Sequence, residues 1–553
     1  MNGPRLILNA TLAGLYGAVL LAAALVVLHP GVKAAHLWGG LAPVVAVYAV
    51  AAGLLWTLLY ALARFFASHT LRVPAPSLRY IMSFHVANTA VILAALGALL
   101  ATHRRAIDTA ATIRLRFLLG AVAAAWAYSA FVCVMPRLKR SLLIQASAAG
   151  LSLAALSAPL LVFLPGTETG GRPRRAAGEV ADLPAPRGRL VLLDFDGADL
   201  EDVLRLLADG RLPLLARLRR EGTHGRLQAM LPGDTAVQRT LLATGQLPFR
   251  NGVRGPWSRD LLGYPTGFMV VPRGLWFDGL LAPVMRRRPV TIADRCVPAL
   301  WDLAARAGGL GAAGGWEVDL DVEGPAPDAG AARRRALAAE FIEGDMAVAD
   351  DPAAVGLLDE LARAVDADAA AERALEAAAA APGGGVIAVA FPGLDRVAHR
   401  FLRAARPEAF GDVGDAERER YSEVLPRYYE RIEAIVARGL AIAGPDGWLF
   451  VVSAHGMEAA PLGRRLVGLA GGPLVPGSHD RAPAGLLFAR GPEIRAGGSF
   501  GRAPATEVVP TALHLLGLPI ARDLDGSIID QALEEGGVLD RPAVIIDTYG
   551  TWP

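Results

Sequence analysis

Ahead of residue 165 the chain carries about five apolar runs, near residues 6–28, 41–63, 80–101, 117–135 and 142–164, each long enough to cross a bilayer as a helix. Nothing else narrows the fold so sharply. A backbone in hydrocarbon must satisfy its own hydrogen bonds, and helices do so within one segment. The first run is too long, and too soon followed by others, to be a cleaved signal peptide. A hydrophobic share of 53% over 553 residues agrees, being high for a soluble protein. The expected layout is an α-helical membrane bundle over 1–165, a linker over 166–187 and a globular domain over 188–553. The linker is rich in Gly, Pro, Arg and Ala and has no periodicity.

An odd number of spans puts the tail across the membrane from the N-terminus. Arg5, Arg64, Arg72, Arg79, Arg137, Lys139 and Arg140 fall on one side, and Lys33, Arg104, Arg105, Arg114 and Arg116 on the other. That bias predicts a cytoplasmic N-terminus and an extracytoplasmic C-terminal domain. Within the third run, His85 is expected near the interface and Asn88 bonded to a neighbouring helix. A net charge of +2 argues neither for nor against a charged partner, and with no basic stripe carrying interleaved aromatics, nucleic acid is not an expected partner. The 2 cysteines, Cys133 and Cys296, make neither a disulfide framework nor a thiolate metal site.

The globular part is organised around RLVLLDFDGAD at 189–199. A continuous apolar stretch reads as a buried parallel-type strand running out into Asp194, Asp196 and a glycine. Open α/β sheets build their sites just past the carboxyl ends of strands. VIAVAF (386–391) leading to Asp395 and His399, and WLFVVS (448–453) leading to His455, repeat the arrangement, while His479 precedes a strand at 485–489. Helices are expected at 204–221, broken by Gly210 and Pro213, at 236–244, stopped by Gly245, at 299–307 and across 331–381. Strands alternating with helices predict a doubly wound, mostly parallel sheet sandwiched by helices. Gly309, Gly311 and Gly314 match G-x-G-x-x-G, but they follow a helix and precede a strand predicted at 316–320, the reverse of a dinucleotide loop.

Asp395 and His399 stand one helical turn apart on one face, which suits a divalent ion such as zinc or, equally, a hydrogen-bonded pair on a solvated helix. A domain whose histidines are His224, His399, His455, His479 and His514, three of them at strand ends, tilts towards a site. Thr235 opens a helix, as an N-cap or as a nucleophile favoured by the positive helix end; the two roles are compatible.

Several stretches in order give the domain its resemblance: DGAD at 196–199, GRLPLLARLRREGTHGRL at 210–227, DTAVQRTLLATGQLPFRNGV at 234–253, LWDLAARAG at 300–308, LDRVAHRFLR at 394–403, VVSAHGM at 451–457, GSHD at 477–480 and TEVVPTALHLLGLPIARDLDG at 506–526. The domain resembles the type I phosphodiesterase/nucleotide pyrophosphatase branch of the alkaline phosphatase superfamily. The resemblance implies a phosphate-ester hydrolase or transferase with two divalent ions of the zinc type. Asp395, His399 and His479 would hold one, and Asp196, Thr235 and His455 would share the other. Thr235 would attack phosphorus.

Two departures stand out. Ala454 occupies the position where that family carries an aspartate before the histidine of its strand-end motif, which removes an anionic ligand from the second ion. Asp194, Asp234 and Asp480 are the carboxylates near enough in sequence to compensate. Asn251 replaces a usual histidine, and Arg250 or Arg254 is the candidate phosphate-oxygen donor. The expected function is therefore a membrane-anchored phosphodiesterase or phosphotransferase with a threonine nucleophile. Membrane spans ahead of such a domain are also the layout of phosphoethanolamine transferases and lipoteichoic acid synthases, which points to a cell-envelope or lipid phosphodiester at a bacterial plasma membrane. The rival is a catalytically weakened homologue acting as a binding or scaffold module.

Overall fold

The computed structural model describes residues 3–29, 42–67, 78–104, 106–135, 141–163, 183–231, 233–261, 267–270, 285–316, 326–342, 346–411, 413–460, 475–481, 483–536 and 541–550. They group into two compact units, one within 1–174 and 257–289, the other within 175–256 and 290–553.

The first unit is built on the apolar runs. Its helices are Gly3–Leu28, Ala42–Ala67, Leu78–His103, Thr109–Val134 and Leu142–Phe163. Four helices among the described residues are long and apolar enough to cross a membrane; in the fifth, the described apolar stretch is the shorter Leu143–Leu156. Large apolar side chains such as Leu54, Leu58, Phe65, Phe66, Ile113 and Phe117 are exposed, as lipid-facing surfaces require. His85 contacts neighbouring helices. Its ring meets Tyr16 edge-on at 4.5 Å and its Nε2 lies 3.3 Å from Ser152 Oγ, so it joins a polar contact between helices.

A sequence boundary at 188 assigned everything beyond it to the globular domain. The structure instead groups 257–289 with the helical unit. Phe268 is buried there against Leu21, Leu25 and Val44, and Val270 N donates to His29 Nε2 at 3.4 Å. Apolar burial, which is indifferent to chain order, explains the difference.

The second unit holds a seven-stranded sheet. In chain order the strands are β1 (Arg189–Phe195), β2 (Thr223–Gln228), β3 (Trp257–Leu261) and β4 (Met285–Pro289), β5 (Leu310–Gly314), β6 (Gly385–Phe391), β7 (Trp448–His455), β8 (Glu458–Ala459), β9 (Gly477–Ser478), β10 (Ala484–Arg490) and β11 (Gly498–Pro504). β3 and β4 pair as a hairpin in the helical unit. The large sheet runs β11-β2-β10-β7-β1-β6-β5. Its ladders are parallel except that β10 is antiparallel to both neighbours.

Both faces of the sheet are covered, as continuous apolar strands demand. From β1, Val191, Leu193 and Phe195 bury against the helices Pro352–Ala379, Gly393–Ala405 and Val424–Ala443. Alternate residues of β1 face the other way, and Thr235–Thr244 and Val508–Leu516 pack on the sheet as well. The predicted break at Gly210 and Pro213 separates the helices Leu200–Ala208 and Pro213–Glu221. Gly311 and Gly314, expected in a loop, lie within β5, and all of the strand expected at 316–320 except Trp316 lies outside the described residues. A Cβ on Gly311 would strike the Trp301 carbonyl, and one on Gly314 would lie 2.6 Å from Ala374 Cβ. These glycines let two helices seat closely on an edge strand rather than cradling a phosphate.

Candidate active site

The register of the three central strands decides where the polar residues meet. Asp194 pairs with Ala390 of β6 and with Val452 of β7, so β1 and β6 end together and β7 runs two residues further on the same side. Asp196 follows β1 at once, His455 is the last residue of β7, and the helix after β6 carries Asp395 and His399. Gly197 turns the chain there. With φ at +76° it is in the left-handed region, and a Cβ would lie 3.0 Å from Asp395 Cα, so only glycine fits.

Asp395, His399 and His479 come together, each offering a ligand atom within 4.8 Å of the others. His399 Nε2 is 3.5 Å from Asp395 Oδ2, and His479 Nε2 is 3.9 Å from Oδ1. Both rings are oriented from behind. His399 Nδ1 pairs with the Gly477 carbonyl at 2.9 Å and His479 Nδ1 with the Gly233 carbonyl at 2.5 Å. A carbonyl only accepts, so each Nδ1 carries a proton, and in the neutral ring that a metal ion requires the lone pair is then on Nε2. Metal-ligating histidines are held in this way, by a hydrogen bond from the ring nitrogen that does not face the ion, and this set fits a divalent ion. Burial raises the Asp395 pKa, but His399 and His479, with His455 beyond them, outweigh it and hold the carboxyl below its usual range.

The helix bearing these ligands is itself anchored. Asp368, fully buried, accepts from Gly393 N at 2.8 Å and from Tyr428 Oη at 2.8 Å, fixing the first turn two residues before Asp395. Burial pushes the Asp368 carboxyl up to about 7, against the pull of those two donors. A carboxyl raised on folding stabilises in its protonated form. Its contribution is therefore complete below about pH 4 and is lost as pH rises towards 7. For chelator-treated protein, thermal midpoints should fall across that window, and Asp368→Asn should flatten the slope. An unchanged slope in the variant would mean that another group sets it.

The remaining expected ligands are differently placed. The helix Thr235–Thr244 opens with Thr235, whose buried Oγ1 has no hydrogen-bond partner, and stops at Gly245 in the left-handed conformation. Asp234 is the N-cap by backbone geometry, without a capping side-chain bond. The Gly233 carbonyl that holds His479 ties this helix start to the triad. His455 is fully buried, its ring 4.6 Å from that of His479; Nδ1 pairs with the Gly456 carbonyl at 3.2 Å and Nε2 has no partner. Burial drives its pKa down to about 3, so the imidazole is neutral.

Asp196 is ion-paired with Arg239, a residue the sequence reading passed over. Arg239 is 2% exposed, its Nε lies 3.9 Å from Asp194 Oδ2, and its Nη1 donates to the Gly315 carbonyl at 3.0 Å. Burial pushes the Asp196 carboxyl up to about 6, with Arg239 opposing it. Burial and then Asp196 drive Asp194 well above the usual range. Only two members of this set, Asp196 and His455, bring a carboxylate or an imidazole; Thr235 brings a neutral hydroxyl. With Ala454 offering no ligand and Asp196 matched by a guanidinium, that set does not fit a divalent ion.

Asn251 is structural. Its Nδ2 donates to the Gln246 carbonyl at 2.8 Å and its Oδ1 accepts from Val253 N at 2.9 Å. Arg250 pairs with Asp525 at 3.3 Å and donates to the Asp523 carbonyl at 2.8 Å, which commits it to the fold.

A family model for type I phosphodiesterase / nucleotide pyrophosphatase matches residues 190–471. Among solved structures, murine ectonucleotide pyrophosphatase / phosphodiesterase 5 is 14% identical, covering 63% of this chain and 100% of its own at a TM-score of 0.35. An inactive form of the murine protein in complex with AMP gives 13%, with the same coverage and TM-score. The human protein gives 12%, covering 64% of this chain and 99% of its own at 0.36. No curated protein matches the chain by sequence comparison.

Proposed function

Because the chain belongs to the type I phosphodiesterase/nucleotide pyrophosphatase family and so is a phosphate-ester hydrolase, we propose that it is a membrane-anchored phosphodiesterase in which Thr235 attacks phosphorus beside an ion held by Asp395, His399 and His479. The observation that carries this reading is the tie between a pre-oriented ligand triad and the start of the threonine's helix, through Gly233 and His479. An ion bound there would neutralise charge on the phosphoryl oxygens.

The chain's own groups supply the rest. The N-terminus of the helix Thr235–Thr244 presents backbone N–H groups and a positive dipole end to an anionic substrate. Thr235 Oγ forms a bond to phosphorus as the ester P–O bond on the far side breaks. The threonine proton passes to solvent and the leaving oxygen takes one from solvent. Water then attacks the threonine-linked phosphodiester, breaking the Oγ–P bond and restoring the hydroxyl. An acceptor alcohol in place of water would make the same site a transferase. A cytoplasmic N-terminus, and a C-terminal domain working outside the plasma membrane on an envelope or lipid phosphodiester, complete the reading. The charge bias of the loops and the apolar helices support it.

The full chain, purified in detergent and supplied with Zn2+, should release nitrophenolate from bis(p-nitrophenyl) phosphate and lose that activity on chelation. Added alcohols that divert product from water would identify a transferase. Protein that carries its ion yet releases nothing from diesters would favour the weakened homologue, whose basis is Ala454.

A further inference from the structure

The disagreement between the second ligand set and a second ion points to a different kind of centre. We infer that the site holds a single divalent ion, and that the buried Arg239 guanidinium provides the positive charge in place of the other. The inference rests on the reading of Asp395, His399 and His479 as ligands.

Arg239 lies four residues after Thr235 in the helix Thr235–Thr244, so both side chains leave the same face one turn apart. Asp194 and Asp196 alternate along the end of β1 and likewise share a face. Helix and strand thus bring the guanidinium onto the carboxylates from opposite sides. It pairs with Asp196, approaches Asp194 Oδ2 to 3.9 Å and is held from a third direction by the Gly315 carbonyl. A group 2% exposed, ion-paired with Asp196 and hydrogen-bonded to the Gly315 carbonyl, has little freedom to swing away and admit a cation.

Charge and ligand supply agree with the geometry. A divalent ion at Asp196 would sit against a fixed like charge in a site closed to water, where repulsion is poorly screened. Ala454 is fully buried and offers only a methyl group, and the neutral ligands Thr235 and His455 bring no charge to offset the guanidinium. An arginine presents five N–H donors suited to carboxylate and phosphate oxygens. A guanidinium also needs no loading from solution, so this half of the site does not depend on metal supply.

Metal content decides the matter without an activity assay. The full chain in detergent is saturated with Zn2+, freed of excess and analysed by plasma mass spectrometry against protein concentration. About one ion per chain is expected, falling to about zero in Asp395→Ala, against about two for a paired-ion centre. The paired change Arg239→Met with Ala454→Asp should raise the content to about two. Two ions in the unaltered protein would overturn the inference and leave the triad reading standing. No ion at all would bring down both. A content that stays at one in the folded double variant, checked by its thermal transition, would also overturn Arg239 as the group that excludes the second ion. Should the double variant not fold, the unaltered protein still decides by its own count.

Discussion

Thr235→Ala lowers kcat/KM for an aryl phosphodiester by roughly 10⁴-fold or more, an expected loss of about 5.5 kcal/mol in transition-state stabilisation. The size follows from what the hydroxyl does. With no nucleophile the two-step route through a threonine-linked diester is closed, and only direct attack by water beside the ion remains. The loss should fall on kcat rather than KM, because a methyl group at this position leaves the helix N-terminus and the triad in place. Stability should change little, since Thr235 Oγ1 makes no hydrogen bond in the fold and its side chain does not serve as the N-cap. Thr235→Ser should retain measurable turnover and yield a serine-linked intermediate under acid quench. Activity surviving Thr235→Ala within tenfold would remove the nucleophile from the proposal while leaving the ion site untouched.

The second large effect is at Asp395. Changing it to alanine takes the only carboxylate from the cluster that also contains His399 and His479. The two imidazole Nε2 atoms keep their orientation, being held through Gly477 and Gly233, but they lose the anion that offsets a divalent charge. Removing one partner of a buried charge interaction typically costs about 3–5 kcal/mol, so ion affinity should weaken by a few hundredfold or more. Competition against a chromophoric chelator measures this directly. The stabilisation that saturating Zn2+ confers on the thermal midpoint should vanish in the same variant. Asp395→Asn should show most of the effect, because it preserves shape and removes only charge. An unchanged Zn2+ affinity in both variants would place the ion elsewhere.

How far the chain was readable before folding depended on the range of the interactions involved. Apolar helices, the buried strand at 189–195, the break at Gly210 and the stop at Gly245 are local matters of periodicity and backbone freedom, and each appears where the spacing predicts. Asp395 and His399 are likewise one turn apart in a single helix. By its own pattern His479 was a histidine near a strand, and only the family resemblance joined it to Asp395; its approach to Asp395 depends on β9 passing the helix Gly393–Ala405. Arg239 was overlooked although its signal was present, a charged residue four positions after the proposed nucleophile in an otherwise uncharged helix. A buried arginine announces itself through partners, and Asp194 and Asp196 lie more than forty residues earlier. The insertion at 257–289 was misassigned for a related reason: chain order put it in one unit and apolar burial put it in the other.

By itself the sequence determined what is carried along a few consecutive turns: the membrane helices, the alternation that makes a parallel sheet, and which side chains are chemically able to bind an ion or attack phosphorus. Tertiary structure alone decided which of those side chains share a space. Register between β1, β6 and β7 aligns strand ends from three distant segments, and burial then sets their charges against one another. Electrostatic interaction in a closed site varies steeply with distances of a few ångströms, which the order of residues does not contain. For that reason Asp196 was readable as a carboxylate but not as one bound to Arg239.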